Sequence, residues 1–215
     1  MRFEDGIGRC HSFSDLLLFV SVSTLSRSMA VSTISAILLA AEGMPYIGEP
    51  VSQRSHALQA AQLASLAGAD EETVAAALLH DIGHLPLPLA AGEEAPNQMG
   101  EFGVAHHEDV GAKFLLRMGF SERVAKLVRS HVRAKRYLVA TDAQYAAKLS
   151  DASKVTLEHQ GGPFTEKECE EFRDDPDFDT MLLMRIWDES AKDSNWKGPP
   201  IDFYVPLLRR CIGEH

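Results

Sequence analysis

From Met29 onward, apolar residues recur at three- and four-residue intervals through one segment after another, and no stretch alternates apolar with polar residues long enough to make a useful strand. That periodicity predicts an all-α chain. The helical segments are 31–43 (VSTISAILLAAEG), 55–67 (SHALQAAQLASLA), 70–81, 105–118, 121–135, 141–158, 165–173, 179–192 and 201–212, all rich in Ala and Leu. Gly43, Gly68, Gly119 and the pair Gly161-Gly162 before Pro163 fall where helices stop, and Ser121-Glu122 opens a new one. Residues 85–104, rich in Pro, Gly and Glu, read as the one long loop inside the fold. A chain of 215 residues suits one domain, and no internal repeat divides it.

Residues 1–28 read differently. The ten-residue apolar run 16–25 (LLLFVSVSTL) is too short to span a bilayer, which takes about 20 residues. Glu4 and Asp5 spoil the basic leading segment of a secretory signal. Residues 1–28 are therefore expected to be a disordered extension or an unused upstream start, with the working domain at 29–215. Acidic residues outnumber basic ones, 31 to 21, for a net charge of -10. Residues 1–28 hold three of each, so the excess falls on the domain. Such a chain is poorly suited to grip nucleic acid. Cys10, Cys169 and Cys211 make neither a zinc pattern nor an even disulfide set, which fits a reducing cytoplasm. The expectation is a cytoplasmic protein without nucleic-acid or membrane partners, monomeric or a weak homodimer.

The histidines carry the chemistry. His80-Asp81-Ile82-Gly83-His84 ends the apolar run VAAALL, where burying an imidazole and a carboxylate together costs several kcal/mol unless something compensates them. A lone His-Asp pair is most often a hydrogen bond in a core. Here His56, His106-His107, His131 and Asp188 offer further ligand types on neighbouring segments, and a helical bundle converges such side chains on its interior. Four imidazoles and two carboxylates are too many for one tetrahedral zinc with an open position. They suit two ions bridged by Asp81, with His56, His80 and Asp188 on the first and His107 and His131 on the second. Nitrogen and oxygen ligands without thiolate leave iron, manganese, zinc or magnesium open, with imidazole favouring iron or zinc over magnesium.

His56, His80-Asp81 and the distant Asp188 resemble the HD-domain superfamily of metal-dependent enzymes, and His107 with His131 resembles its dinuclear members. Tyr46-Ile-Gly-Glu49, the stretch from Ser130-His131 to Lys135, the block from Leu149 through Ser153, Thr156 and Gln160-Gly-Gly-Pro, and Arg185-Ile-Trp-Asp188 narrow the resemblance to one oxygenase branch. That branch is the mixed-valent di-iron oxygenases that cleave phosphonates, the 2-amino-1-hydroxyethylphosphonate dioxygenase family. The similarity runs from about residue 34 to 205, with the 85–104 loop a few residues longer here.

The resemblance implies an HD-domain helical bundle around a dinuclear site, two iron ions (one ferrous, one ferric) and O2 as co-substrate. It implies release of phosphate and glycine from a small zwitterionic phosphonate, 2-amino-1-hydroxyethylphosphonate. It places the ligand at the His before Glu108, which excludes His106. It also implies that Tyr46 occupies a metal position until substrate binds. Ser153, Thr156 and Gln160 recur three and four apart and share a helix face, and Lys135 follows His131 by one turn. Together they offer an ammonium, two hydroxyls and an amide to a phosphonate. Glu49 is expected to pair with a substrate ammonium. His84 is expected to support a metal ligand by hydrogen bonding, while His11, His159 and His215 are bystanders. Two alternatives stay open: the same chemistry on the trimethylammonium analogue, giving glycine betaine, and a metal-dependent phosphohydrolase.

Overall fold

A computed structural model describes residues 27–46, 48–100 and 103–214. The 16–25 run, Cys10, His11 and His215 lie outside the described residues. The helices are α1 Arg27–Ala40, α2 Gln53–Leu66, α3 Glu71–Leu79, α4 His107–Arg117, α5 Glu122–Thr141, α6 Ala143–Lys148, α7 Asp151–His159, α8 Glu166–Arg173, α9 Phe178–Ser190 and α10 Ile201–Cys211. Short 3-10 turns cover Ala41–Gly43 and Ile82–His84. Among the described residues there is no strand, only isolated bridges at Pro45 with Ser52 and Gln98 with Val104. The all-α expectation holds.

Helix boundaries follow side-chain caps. Ser52, Asp70, Ser121 and Thr165 each accept a hydrogen bond from a backbone N–H of the first turn they open. The expected single helix at 141–158 is two helices, because Asp142 caps α6 and Ser150 caps α7. The expected 121–135 helix runs on to Thr141. Tyr137, on that extension, packs its ring on Phe172 and Phe178 at 5.4 and 5.3 Å. α4 opens at His107 rather than 105, since His106 takes a left-handed backbone with φ 53°.

α5 is the central element, packed against α3, α4 and α9, while α2 lies against α3 and α9. α1 and α10 pair with each other, and α10 also covers α3. α3 is buried on every side from Thr73 to Leu79, so its sequence lacks a polar stripe. Leu78, Leu79, Phe114, Leu115, Leu127 and Met181 form the fully buried centre of the core. The site lies at one edge of this core, where α2, α3, α4, α5 and α9 each contribute a polar side chain or lead directly into one.

Candidate metal centre and adjoining cavity

The end of α3 sets the site. The helix stops at Leu79, and His80 and Asp81 leave it before the 3-10 turn at Ile82. Gly83 makes this possible: a Cβ there would sit 1.9 Å from the His107 carbonyl oxygen and 2.8 Å from the Gly111 nitrogen. Only glycine lets the turn touch α4, which brings His107 beside Asp81.

Six ligand-type side chains then fall into two buried groups, His56, His80 and Asp188, and Asp81, His107 and His131. His56 Nε2 and His80 Nε2 are 3.0 Å apart and lie 3.4 and 3.6 Å from Asp188 Oδ1. His107 Nε2 and His131 Nε2 are also 3.0 Å apart. Asp81 reaches both groups with different oxygens. Its Oδ2 lies 3.5 and 3.4 Å from His56 and His80, and its Oδ1 lies 3.3 and 3.5 Å from His107 and His131. This is the spacing expected for one carboxylate shared by two ions.

The hydrogen bonds around the rings test whether cations fit. Nδ1 of His56, His80 and His131 lies 2.9, 2.8 and 2.7 Å from the carbonyl oxygens of Ala191, Ala77 and Val128. A carbonyl has no proton to give, so each Nδ1 carries the hydrogen, and in the neutral ring the Nε2 lone pair faces inward. His107 Nδ1 faces Glu108 Oε2 at 3.5 Å, and both are buried atoms that make no hydrogen bond. Lone pairs converging at 3.0 Å repel one another unless a cation or a proton lies between them. Burial disfavours the charged forms of Asp81 and Asp188. His80 and His107 outweigh it for Asp81, and Arg185, His56 and His80 do so for Asp188, so both carboxyls lie well below the usual carboxylate range. Against burial, Asp81 and Asp188 likewise raise the His80 pKa well above its ordinary value, so the two buried carboxylates draw positive charge in among the rings, a place that a divalent cation fits. His106 stands outside both groups, exposed beside Glu108 and Asp109.

A cavity of about 60 Å³ opens beside this centre, and Tyr46, Glu49, His84, Lys135, Ser153, Thr156 and Gln160 all line it. Lys135 Nζ donates to Thr156 Oγ1 at 2.9 Å. Burial is the main cause that brings its ammonium pKa down to about 7, with Arg185 adding to the effect. Gln160 Oε1 is buried without a hydrogen bond. Gly161 and Gly162 take positive φ, 94° and 70°, and Arg136 Nε donates to Gly162 O at 2.8 Å, so this turn is tied to α5. Tyr46 stacks on His56 with ring centroids 3.8 Å apart, and its hydroxyl lies 3.4 Å from Asp188 Oδ1. Burial first, then Asp188 and Asp81, raises its phenol pKa well above the ordinary value. His84 stacks on His107 at 3.8 Å and its Nδ1 accepts from the Val104 N–H at 3.1 Å. It meets His107 by stacking rather than by the expected hydrogen bond, and burial brings its pKa down to about 3.

The cavity also has walls that the sequence reading did not assign. Lys192 Nζ is 3.0 Å from Glu49 Oε1 and 2.8 Å from Glu189 Oε1. Arg185 pairs with Asp188 and Glu189, and its Nε donates to Tyr145 Oη at 2.6 Å. Gln53 and Met99 also line it. The spacing 185, 188 was available as a signal, since it puts Arg185 on the same side of α9 as a candidate ligand, whereas Lys192 lies two residues past the end of that helix.

Comparison with known proteins agrees with this geometry. The HD domain family model matches residues 54–171, more than half of the chain. A 1-hydroxy-2-(trimethylamino)ethylphosphonate dioxygenase (glycine-betaine-forming) from Leisingera caerulea is 36% identical over 194 residues, covering 90% of this chain and 96% of that protein. A hydroxymethylphosphonate dioxygenase from Gimesia maris is 39% identical over 200 residues, covering 93% and 96%.

Proposed function

The chain belongs to the HD-domain family, and from that premise we propose that it is an O2-dependent phosphonate dioxygenase acting on a small 1-hydroxyphosphonate. The observation that carries the reading is Asp81 standing with one oxygen toward each histidine pair, beside a cavity that presents Lys135, Thr156 and Gln160. In this reading His56, His80 and Asp188 hold one ion, His107 and His131 the other, and Asp81 bridges them. A ferrous and a ferric ion held there would supply the electron transfer to O2.

The protein's own groups bind and orient. The Lys135 ammonium, the Ser153 and Thr156 hydroxyls and the Gln160 amide take the phosphonate oxygens. Tyr46 stays a neutral phenol on the Asp188 side of the centre and yields that position when substrate enters. His84, uncharged, holds the His107 ring by stacking. The overall change is balanced with one O2 per carbon–phosphorus bond broken: the hydroxyl-bearing carbon leaves as a carboxylic acid and the phosphonate as inorganic phosphate. With the aminoethyl compound, the substrate expected from the sequence, the acid is glycine. With the trimethylammonium analogue it is glycine betaine. Both place a cation at Glu49, which already pairs with Lys192.

Metal reconstitution tests the reading. Stripped protein reloaded with iron should turn over 1-hydroxyphosphonates, and zinc- or magnesium-loaded protein should not. Turnover of phosphate esters by the zinc form, with none of phosphonates by the iron form, would establish a phosphohydrolase instead.

A further inference from the structure

The charges at the α9 side of the cavity match one for one. With Asp188 assigned to an ion, two carboxylates remain, Glu49 and Glu189, and two cations face them, Lys192 and Arg185. Lys192 Nζ donates to Glu189 Oε1 at 2.8 Å and lies 3.0 Å from Glu49 Oε1 as an ion pair, an oxygen that is buried and makes no hydrogen bond. The side chains of Glu49 and Lys192 keep only 15% and 17% of their exposure, so screening by water is weak and an extra charge of either sign is costly. A substrate ammonium brought to Glu49 meets the Lys192 ammonium at the same carboxylate oxygen.

We propose that Lys192 is the specificity-determining residue of this cavity: its own ammonium fills the place that a cationic substrate head would take, so the site suits a 1-hydroxyphosphonate with no cationic head. Hydroxymethylphosphonate is the smallest such compound. With it, the carbon–phosphorus bond breaks, one O2 is consumed, and the products are formate and inorganic phosphate, with every atom accounted for. The proposal rests on the dioxygenase reading above and adds the substrate class to it.

Three iron-loaded proteins test it: the wild type, Lys192→Met and Lys192→Arg. For each, kcat/KM is measured by oxygen uptake with hydroxymethylphosphonate and with 2-amino-1-hydroxyethylphosphonate, and Kd by anaerobic calorimetry. The wild type should favour hydroxymethylphosphonate by about tenfold or more, the scale of one mismatched buried charge. Lys192→Met frees Glu49 and should move the ratio of the two substrates toward the amine by about tenfold or more in both kcat/KM and Kd, while Lys192→Arg keeps the wild-type ratio. A merely structural lysine would lower both substrates together and leave the ratio alone. Preference of the wild type for the amine, or a ratio unmoved in Lys192→Met while oxygen uptake persists, overturns the role of Lys192 alone. Absence of oxygen uptake with either phosphonate in the wild type overturns the dioxygenase reading, and this proposal with it.

Discussion

At the scale of single residues, four inward-facing ring nitrogens and one shared carboxylate decide the chemistry. Asp81 is the residue whose loss the two groups feel together, because each of its oxygens faces a different histidine pair. Asp81→Asn keeps the shape and removes the second anionic oxygen, so metal analysis should fall from two ions per chain to one or fewer; two retained ions would remove the bridging role. Lys135 gives a pH dependence. Its ammonium is lost as pH rises through about 7, so the charge that holds a phosphonate is present below that pH and absent above it. KM should therefore climb above about pH 7, and Lys135→Arg, which keeps its charge at any working pH, should flatten that rise. The two buried His and Asp groups were legible in sequence because several such side chains fell in apolar segments whose packing in a bundle brings them to one interior. The Lys192–Glu49 pair was not, since the two residues lie on different elements and 143 positions apart, and no local pattern reports a contact that only the packing of α9 against the turn before α2 creates.

At the scale of elements, backbone contacts hold the centre together as much as ligands do. The turn after Asp81 touches α4 only because residue 83 lacks a side chain. Gly83→Ala should destabilise the fold by about 3 kcal/mol or more, since the clash is with backbone that has no rotamer to give, and should also lower metal content; a thermal midpoint unchanged from wild type would contradict that contact. α7 carries Ser153 and Thr156 on nine residues and depends on its cap at Ser150. Ser150→Ala should cost about 1 kcal/mol and raise KM for phosphonate more than it lowers kcat. Helix existence was readable along the domain from periodicity. The break between α6 and α7 was missed because apolar residues continue through it, while the decisive signals were single capping residues, Asp142 and Ser150. The stop of α3 before His80 rather than after Asp81 depends on the docking of Gly83, a tertiary contact.

At the scale of the whole molecule, a chain at net charge -10 handles an anion by local balance. Screening over about 8 Å at physiological ionic strength confines the contest to the cavity, where the proposed metal ions and Lys135 would oppose the carboxylates around them. Among the described residues no helix is long and apolar enough to cross a membrane. If ions bind as proposed they join five elements of the folded chain, so chelation should lower the thermal midpoint and reloading iron should restore it. The most direct test of the account is to follow oxygen and inorganic phosphate together in iron-loaded protein given a 1-hydroxyphosphonate. The account predicts one O2 consumed per phosphate released and no phosphate under argon; phosphate released at an undiminished rate under argon would contradict it.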